Sequence, residues 1–367
     1  MPFDVRDFAG APPGERAAGR RNRRLVALWL FLVAGMIAIM VTLGGVTRLT
    51  GSGLSIMEWA PLSGALPPLS EAEWQRLYHL YQQIPQYELV NQGFGLAGFK
   101  QIFWLEWIHR LWGRLIGVAF LGPLIWFWAT GRIERRLRPW LAVLFLLGGL
   151  QGLVGWLMVA SGFLPDATAV SPYRLVIHLV LALLLYTALL WTGLTVLRPA
   201  ALQPPAQRSL RSLATLCTIL VALTIVAGGF VAGNHAGLDY NTFPLMDGQL
   251  IPDAYTQLQP FLRNLTENIA AVQFDHRLLA TLTLGVATAI IAWGLATLHS
   301  LRARLAVLAL AATVTLQYLL GVATLLLVVP IWLATAHQAG AMMLLTAILF
   351  LLHTLRATPR RPKAAAT

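Results

Sequence analysis

LVALWLFLVAGMIAIMVTLGGV, residues 25–46, runs for 22 positions without one charged side chain. About 20 apolar residues in a helix cross the roughly 30 Å hydrocarbon layer of a bilayer. Arg16, Arg20, Arg21, Arg23 and Arg24 stand directly before this stretch. It is longer than a cleavable signal core, so it is predicted to be an uncleaved anchor. Seven more stretches are long enough to span: 103–129, 139–160, 173–197, 213–233, 269–298, 305–329 and 331–355. Pro330 alone separates the last two. The prediction is an all-α integral membrane protein with eight transmembrane helices.

Composition agrees. Of 367 residues, 57% are hydrophobic and 11% charged, and mean hydropathy is +0.67. Soluble domains carry charge on about a quarter of their residues. The net charge of +12 comes without the basic groove and stacking aromatics of a nucleic-acid binder. The single cysteine, Cys217, lies in an apolar run and excludes an intrachain disulfide or a cysteine-held cluster.

The charge reports topology instead. Nineteen Lys and Arg fall in the N-terminal segment, 132–138, 198–211, 302–304 and the tail. Only Arg48, Arg76, Lys100, Arg174 and Arg263 lie on the other side, and Arg110, Arg114 and Arg277 fall within spans. The positive-inside rule then places both termini in the cytoplasm and the long loops, 47–102 and 234–268, outside. A bacterial inner membrane is the expected location.

A four-span repeat organises the chain. GGVTRLTGSGLS (Gly44–Ser55) follows span one, and GGFVAGNHAGLD (Gly228–Asp239) follows span five. Trp107-Ile-His-Arg110 answers Phe274-Asp-His-Arg277, and Gln151-x-x-x-Gly155 answers Gln317-x-x-x-Gly321. Two repeat-related four-helix bundles are expected, 25–197 with the outer loop 47–102, and 213–355. A basic N-terminal segment (1–24), a cytoplasmic linker (198–212) and a basic tail (356–367) complete the plan.

Spans two, four, six and eight carry His109, His178, His276 and His337, each five to seven residues in from the predicted outer end. One histidine in a membrane helix is ordinarily an interhelical hydrogen bonder. Four at matched depth, paired within each half on diagonal helices, point to bis-histidine ligation of heme iron. Arg110 and Arg277 follow two of these histidines, and either reach heme propionates or snorkel to the interface. His79, His235, His299 and His353 lie in loops or near helix ends and carry no such expectation.

The halves differ at one position. Glu106, three residues before His109, shares its helical face, whereas the second half has Gln273. A carboxyl at one site only suggests that one half does chemistry and the other holds a redox cofactor, although a first-turn Glu is also favoured by the helix dipole. Ser70 to Glu73 forms a capping-box pattern. It predicts a short outer helix that either roofs the first bundle or lies at the interface.

The ordered set GGVTRLTGSGLS, Leu105-Glu-Trp-Ile-His-Arg110, AGLDYNTFPLMDG (Ala236–Gly248), FDHR and the two late-span histidines resembles heme A synthase, most closely its alphaproteobacterial and mitochondrial branch, over residues 25–355. The resemblance implies oxidation of the C8 methyl of heme O to the formyl of heme A by successive hydroxylations, through an alcohol and a geminal diol that loses water. It implies a resident heme b on His276 and His337. It implies heme O on His109 and His178, with Glu106 needed for chemistry, and heme O synthase as a partner. Another bacterial branch has a cysteine pair in the first outer loop. Here that region reads Ile56-Met-Glu-Trp59, so no loop disulfide relay is available.

The rival is a diheme b-type cytochrome linked to quinol. It needs two permanent hemes, usually at different depths, whereas these histidines all lie near the outer face. An inverted-repeat transporter is excluded because each half has an even number of spans, which makes the repeat parallel.

Overall fold

A computed structural model describes residues 13–197 and 208–356. Most of the linker 198–212, most of the tail 356–367 and the first twelve residues lie outside the described residues. Eight long helices cross the molecule: α1 (Pro13–Leu49), α4 (Leu96–Ala129), α5 (Arg138–Ala160), α6 (Pro172–Leu197), α7 (Arg208–Gly233), α9 (Ile269–Thr297), α10 (Leu301–Leu326) and α11 (Ile331–Thr354). All eight are long and apolar enough to cross a membrane. No strand occurs among the described residues, where a lone bridge joins Met246 and Gln249. The protein is a multi-pass membrane protein.

The spans follow the apolar stretches except at three starts: α1 begins at Pro13, twelve residues before the predicted boundary, α4 at Leu96, seven before it, and α7 at Arg208, five before it. Bilayer thickness limits an apolar run but not a helix. The added turns of α4 bury Phe99, Ile102 and Phe103 against Trp74, Leu77 and Tyr81 of the outer loop. Those three residues come from α2 (Glu71–Tyr81), whose cap is the Ser70 side chain accepting from the Glu73 N–H at 3.2 Å. A further short helix, α3 (Pro85–Leu89), precedes α4, and α8 (Asn264–Glu267) precedes α9. α10 and α11 part at 327–330, with Pro330 at the start of α11.

The principal helix contacts form two circuits. One runs α1–α4–α5–α6 and back to α1, the other α7–α9–α10–α11 and back to α7. The circuits meet where α1 and α6 pack on α11, and α6 on α7. At that seam the Gln338 amide donates to the Val41 carbonyl at 2.7 Å, and Tyr186 and Thr346 share a hydroxyl–hydroxyl bond of 2.5 Å. The continuous core lies here and in the inner halves of the helices, with Leu30, Leu141, Leu210, Ile290, Leu310 and Ile348 fully enclosed. Large apolar side chains elsewhere point outward, as expected where lipid is the solvent.

Candidate functional site

The C-terminal ends of the four helices that carry these histidines give a common ruler. His109 stands 20 residues before Ala129, His178 19 before Leu197, His276 21 before Thr297 and His337 17 before Thr354. At 1.5 Å per residue all four lie about 26–31 Å from those ends. The extended start of α4 therefore leaves His109 level with the others. His109 and His178 stand on α4 and α6, opposite corners of the first circuit. His276 and His337 stand on α9 and α11, opposite corners of the second.

Every one of these rings rests on a glycine of a neighbouring helix. A Cβ on Gly44 (α1) would lie 3.1 Å from His109 Cε1, and one on Gly155 (α5) 2.7 Å from His178 Cε1. In the second circuit a Cβ on Gly228 (α7) would lie 2.9 Å from His276 Cε1, and one on Gly321 (α10) 2.9 Å from His337 Cε1. Real Cβ atoms essentially never approach below 3.0 Å, so glycine is what lets the His178, His276 and His337 rings stand where they do, and at Gly44 a Cβ would fit only if the His109 ring gave by a few tenths of an ångström. Sequence reasoning used these glycines as repeat markers and missed their contact with the histidines. Their matched placement opposite each histidine was the available signal.

The rings combine enclosure with openness. Protein surrounds each on nearly every side, yet each keeps accessible surface. His276 and His337 face one another with ring centres 6.4 Å apart and planes at 89°. A metal lies about 2.0–2.1 Å from an imidazole nitrogen, so rings at this spacing leave room for a metal that both would hold. The Thr224 carbonyl accepts from His276 Nδ1 at 3.0 Å, which assigns the proton to Nδ1 and leaves Nε2 as the free donor pair. Nδ1 of His109 is buried without a partner. In the first circuit the Gln151 amide approaches both ring nitrogens of His178, at 3.1 and 3.4 Å, and donates to its carbonyl.

Among the described residues no group of three or more His, Cys, Asp or Glu could hold a metal ion. Two imidazoles alone do not complete the coordination of a bare ion. They suit a metal that brings its own equatorial ligands, which is the chemistry of heme.

Glu106 and the two arginines meet the outer loops. Glu106, 2% exposed, receives five hydrogen bonds. Its Oε2 accepts from Ser55 N–H (2.7 Å), Ser55 Oγ (2.7 Å) and Ile56 N–H (2.9 Å), and its Oε1 from Arg110 Nε (3.0 Å) and Nη2 (2.6 Å). Arg110 also donates to the carbonyls of Glu58 and Ile56, and Arg114 to those of Pro61 and Ala60. Residues 106, 110 and 114 form one stripe of α4 that clips the chain from Ser55 to Pro61 across the site. Gln273 and Arg277 do the equivalent work in the second circuit. The Gln273 amide donates to Ala236 and Asp239 carbonyls, its oxygen accepts from Arg277, and Arg277 donates to those of Tyr240 and Thr242. The same 184-residue interval separates Gly44 from Gly228, Ile56 from Tyr240 and Glu58 from Thr242. Most arginine donors are thus spent on loop carbonyls, while Arg277 Nε and Arg114 Nη1 are buried without a partner.

Residues 27–349 match the model of the cytochrome oxidase assembly protein family. The chain belongs to the heme A synthase family. It is 61% identical to heme A synthase of Granulibacter bethesdensis, over 93% of this chain and 90% of that protein. It is 51% identical to heme A synthase of Rhodospirillum centenum, over 93% and 91%, and 48% identical to heme A synthase 2 of Acidiphilium cryptum, over 94% and 95%. The similarity lends no support to a diheme electron-transfer cytochrome.

Proposed function

We propose that this protein oxidises the C8 methyl of heme O to the formyl of heme A by successive hydroxylations, as an oxidoreductase acting on a CH group. The two circuits act as repeat-related bundles. His109 and His178 receive heme O in the first, and His276 and His337 hold a resident heme b in the second. The observation that carries this reading is the glycine-backed histidine pair at one depth in each circuit, with a carboxylate beside only the first.

A resident heme b supplies one-electron redox chemistry next to the substrate site. The protein's own residues do the positioning. His109 and His178 would hold the substrate iron and so set the depth and plane of the macrocycle, and contacts at its rim would set its rotation. Gly44 and Gly155 hold those rings in place. Glu106 places its carboxyl, paired with Arg110, one turn outward from His109. There it favours positive charge developing at the methyl carbon or accepts a proton, and it holds the loop that excludes outer water. The spare donors, Nε of Arg277 and Nη1 of Arg114, suit propionate carboxylates, and Arg110 sits beside the same mouth.

Heme O synthase supplies the substrate, and the lipid bilayer carries so apolar a molecule between the two proteins. A bacterial inner membrane with both termini in the cytoplasm accords with the charge distribution, and assembly into homo-oligomers is compatible with it. Coexpression with heme O synthase followed by pigment extraction and chromatography tests the proposal. Heme A is expected from the natural sequence. His109→Ala and Glu106→Ala lose heme A while the b-type spectrum survives, and His276→Ala or His337→Ala lose the b-type spectrum. An unchanged heme profile in both His109→Ala and Glu106→Ala refutes the assignment of the first site.

A further inference from the structure

We infer that the first circuit has a lateral window between α4 and α5, through which a flat, lipid-soluble macrocycle enters the His109–His178 site from the bilayer; this rests on reading that pair as the substrate site. The two helices touch at both ends of the window. Toward the inner side, Phe120 stacks on Phe145 with ring centres 6.1 Å apart and planes at 14°. Toward the outer side, the Arg110 guanidinium lies 5.7 Å over the Trp156 ring, and Trp59 of the loop stacks on Trp156 at 6.0 Å and 12°. Between these contacts Gly148, Gly149 and Gly152 of α5 and Gly117 of α4 have no atom within 4 Å of where a Cβ would stand. Phe145, Gly149, Gly152 and Trp156 share one helical face, so the opening is about 16 Å tall at 1.5 Å per residue.

The second circuit has the same helices with this space filled. Counting from the paired Gln151 and Gln317, Gly152 corresponds to Tyr318 and Gly148 to the buried Val314. Counting from His109 and His276, Gly117 corresponds to Leu284, which packs on the core, and Arg114 to Thr281. Tyr318 and Thr281 share a hydroxyl–hydroxyl bond of 3.2 Å across α10 and α9, and the Tyr318 ring meets Phe243 at 6.4 Å. One site is sealed at this level and the other is not, as suits one heme that stays and one that exchanges.

Two further observations point to a ligand behind the window. Gln151 Oε1 and His109 Nδ1 are buried and have no partner, and Gln151 stands beside Gly152 while touching His178. The outer route is closed by the Ser55–Pro61 chain clipped to Glu106, Arg110 and Arg114. An apolar macrocycle dissolved in the bilayer already faces the α4–α5 surface.

The test uses the full chain in lipid nanodiscs with its resident heme. Gly152→Cys adds a thiol in open space, and Cys217, fully buried, stays unlabelled. Ferriprotoporphyrin IX is delivered from phosphatidylcholine vesicles, and the growth of Soret absorbance beyond the resident heme is followed. Before labelling, uptake should match the natural sequence. After reaction with N-benzylmaleimide it should slow at least tenfold, with resident absorbance unchanged. The same label on Leu146→Cys, at a lipid-facing position of α5, should have no effect. Because the block is added to folded protein, misfolding does not imitate it. Uptake by labelled Gly152→Cys within twofold of the unlabelled rate, while His109→Ala gains no new absorbance, overturns the window and leaves the site standing. If His109→Ala takes up heme as the natural sequence does, the site reading fails and the window has no destination.

Discussion

Glu106 accepts two hydrogen bonds from Ser55, one from its backbone N–H and one from its hydroxyl, both at 2.7 Å. The two residues are 51 positions apart, and the bond joins the first outer loop to the helix that carries His109.

Glu106→Gln turns the carboxylate into the second-half residue. One of its two ends then presents an amide N–H to donors, at about 1.5–3 kcal/mol for each charge-assisted bond lost. Heme A yield is expected to fall more than tenfold. Ser55→Ala removes one bond, keeps the charge and should cost a few-fold at most. Equal losses in the two variants would mean that Glu106 serves only as an anchor.

The glycine contacts predict a division of effects. Gly228→Ala and Gly321→Ala should push His276 or His337 off position and lower the b-type heme recovered per protein by at least half, as read by pyridine hemochrome. Gly44→Ala and Gly155→Ala should leave that heme intact and reduce heme A. Loss of the b-type spectrum in Gly44→Ala would contradict separate sites.

A Cβ on Gly45 would collide with Gln338 Oε1, so Gly45→Ala must swing Gln338 away and break its bond to the Val41 carbonyl. Overpacking of this kind costs about 1–3 kcal/mol. Thermal stability in detergent should drop, and Gln338→Ala introduced together with Gly45→Ala should restore most of it. No recovery would place the strain elsewhere.

Arg76 binds Glu58 with two bonds of 2.8 Å and also bonds Glu73. Hydrogen bonding to its guanidinium holds both carboxyls below their usual range. Depressed carboxyl pKa values give stability that is present above the ordinary value and lost as pH falls below about 4. These groups are nearly half exposed, so the tie is worth under about 1 kcal/mol. Protection factors of the α2 amides, corrected for the intrinsic pH dependence of exchange, should fall between pH 7 and pH 3.5 in the natural sequence, and Arg76→Ala should abolish that fall.

Much of this was legible beforehand. A run such as 25–46 has few fates in water or lipid, and Ser70 before Glu73 announces the start of α2. The histidines stood out because ionisable groups are costly in hydrocarbon. The start of α4 was misplaced, since Leu96–Ile102 packs on Trp74, Leu77 and Tyr81 outside the expected span, where membrane thickness is no guide.

Hydrophobic periodicity alone determined the eight helices and singled out the four histidines within them, because each follows from the cost of placing a side chain in lipid or water. Tertiary structure decided which glycine supports which ring, where the arginines spend their donors, and that Gly152 opens a space that Tyr318 closes. Every residue carries a carbonyl and every glycine is alike in sequence, so only the approach of one helix to another tells a contact from a gap.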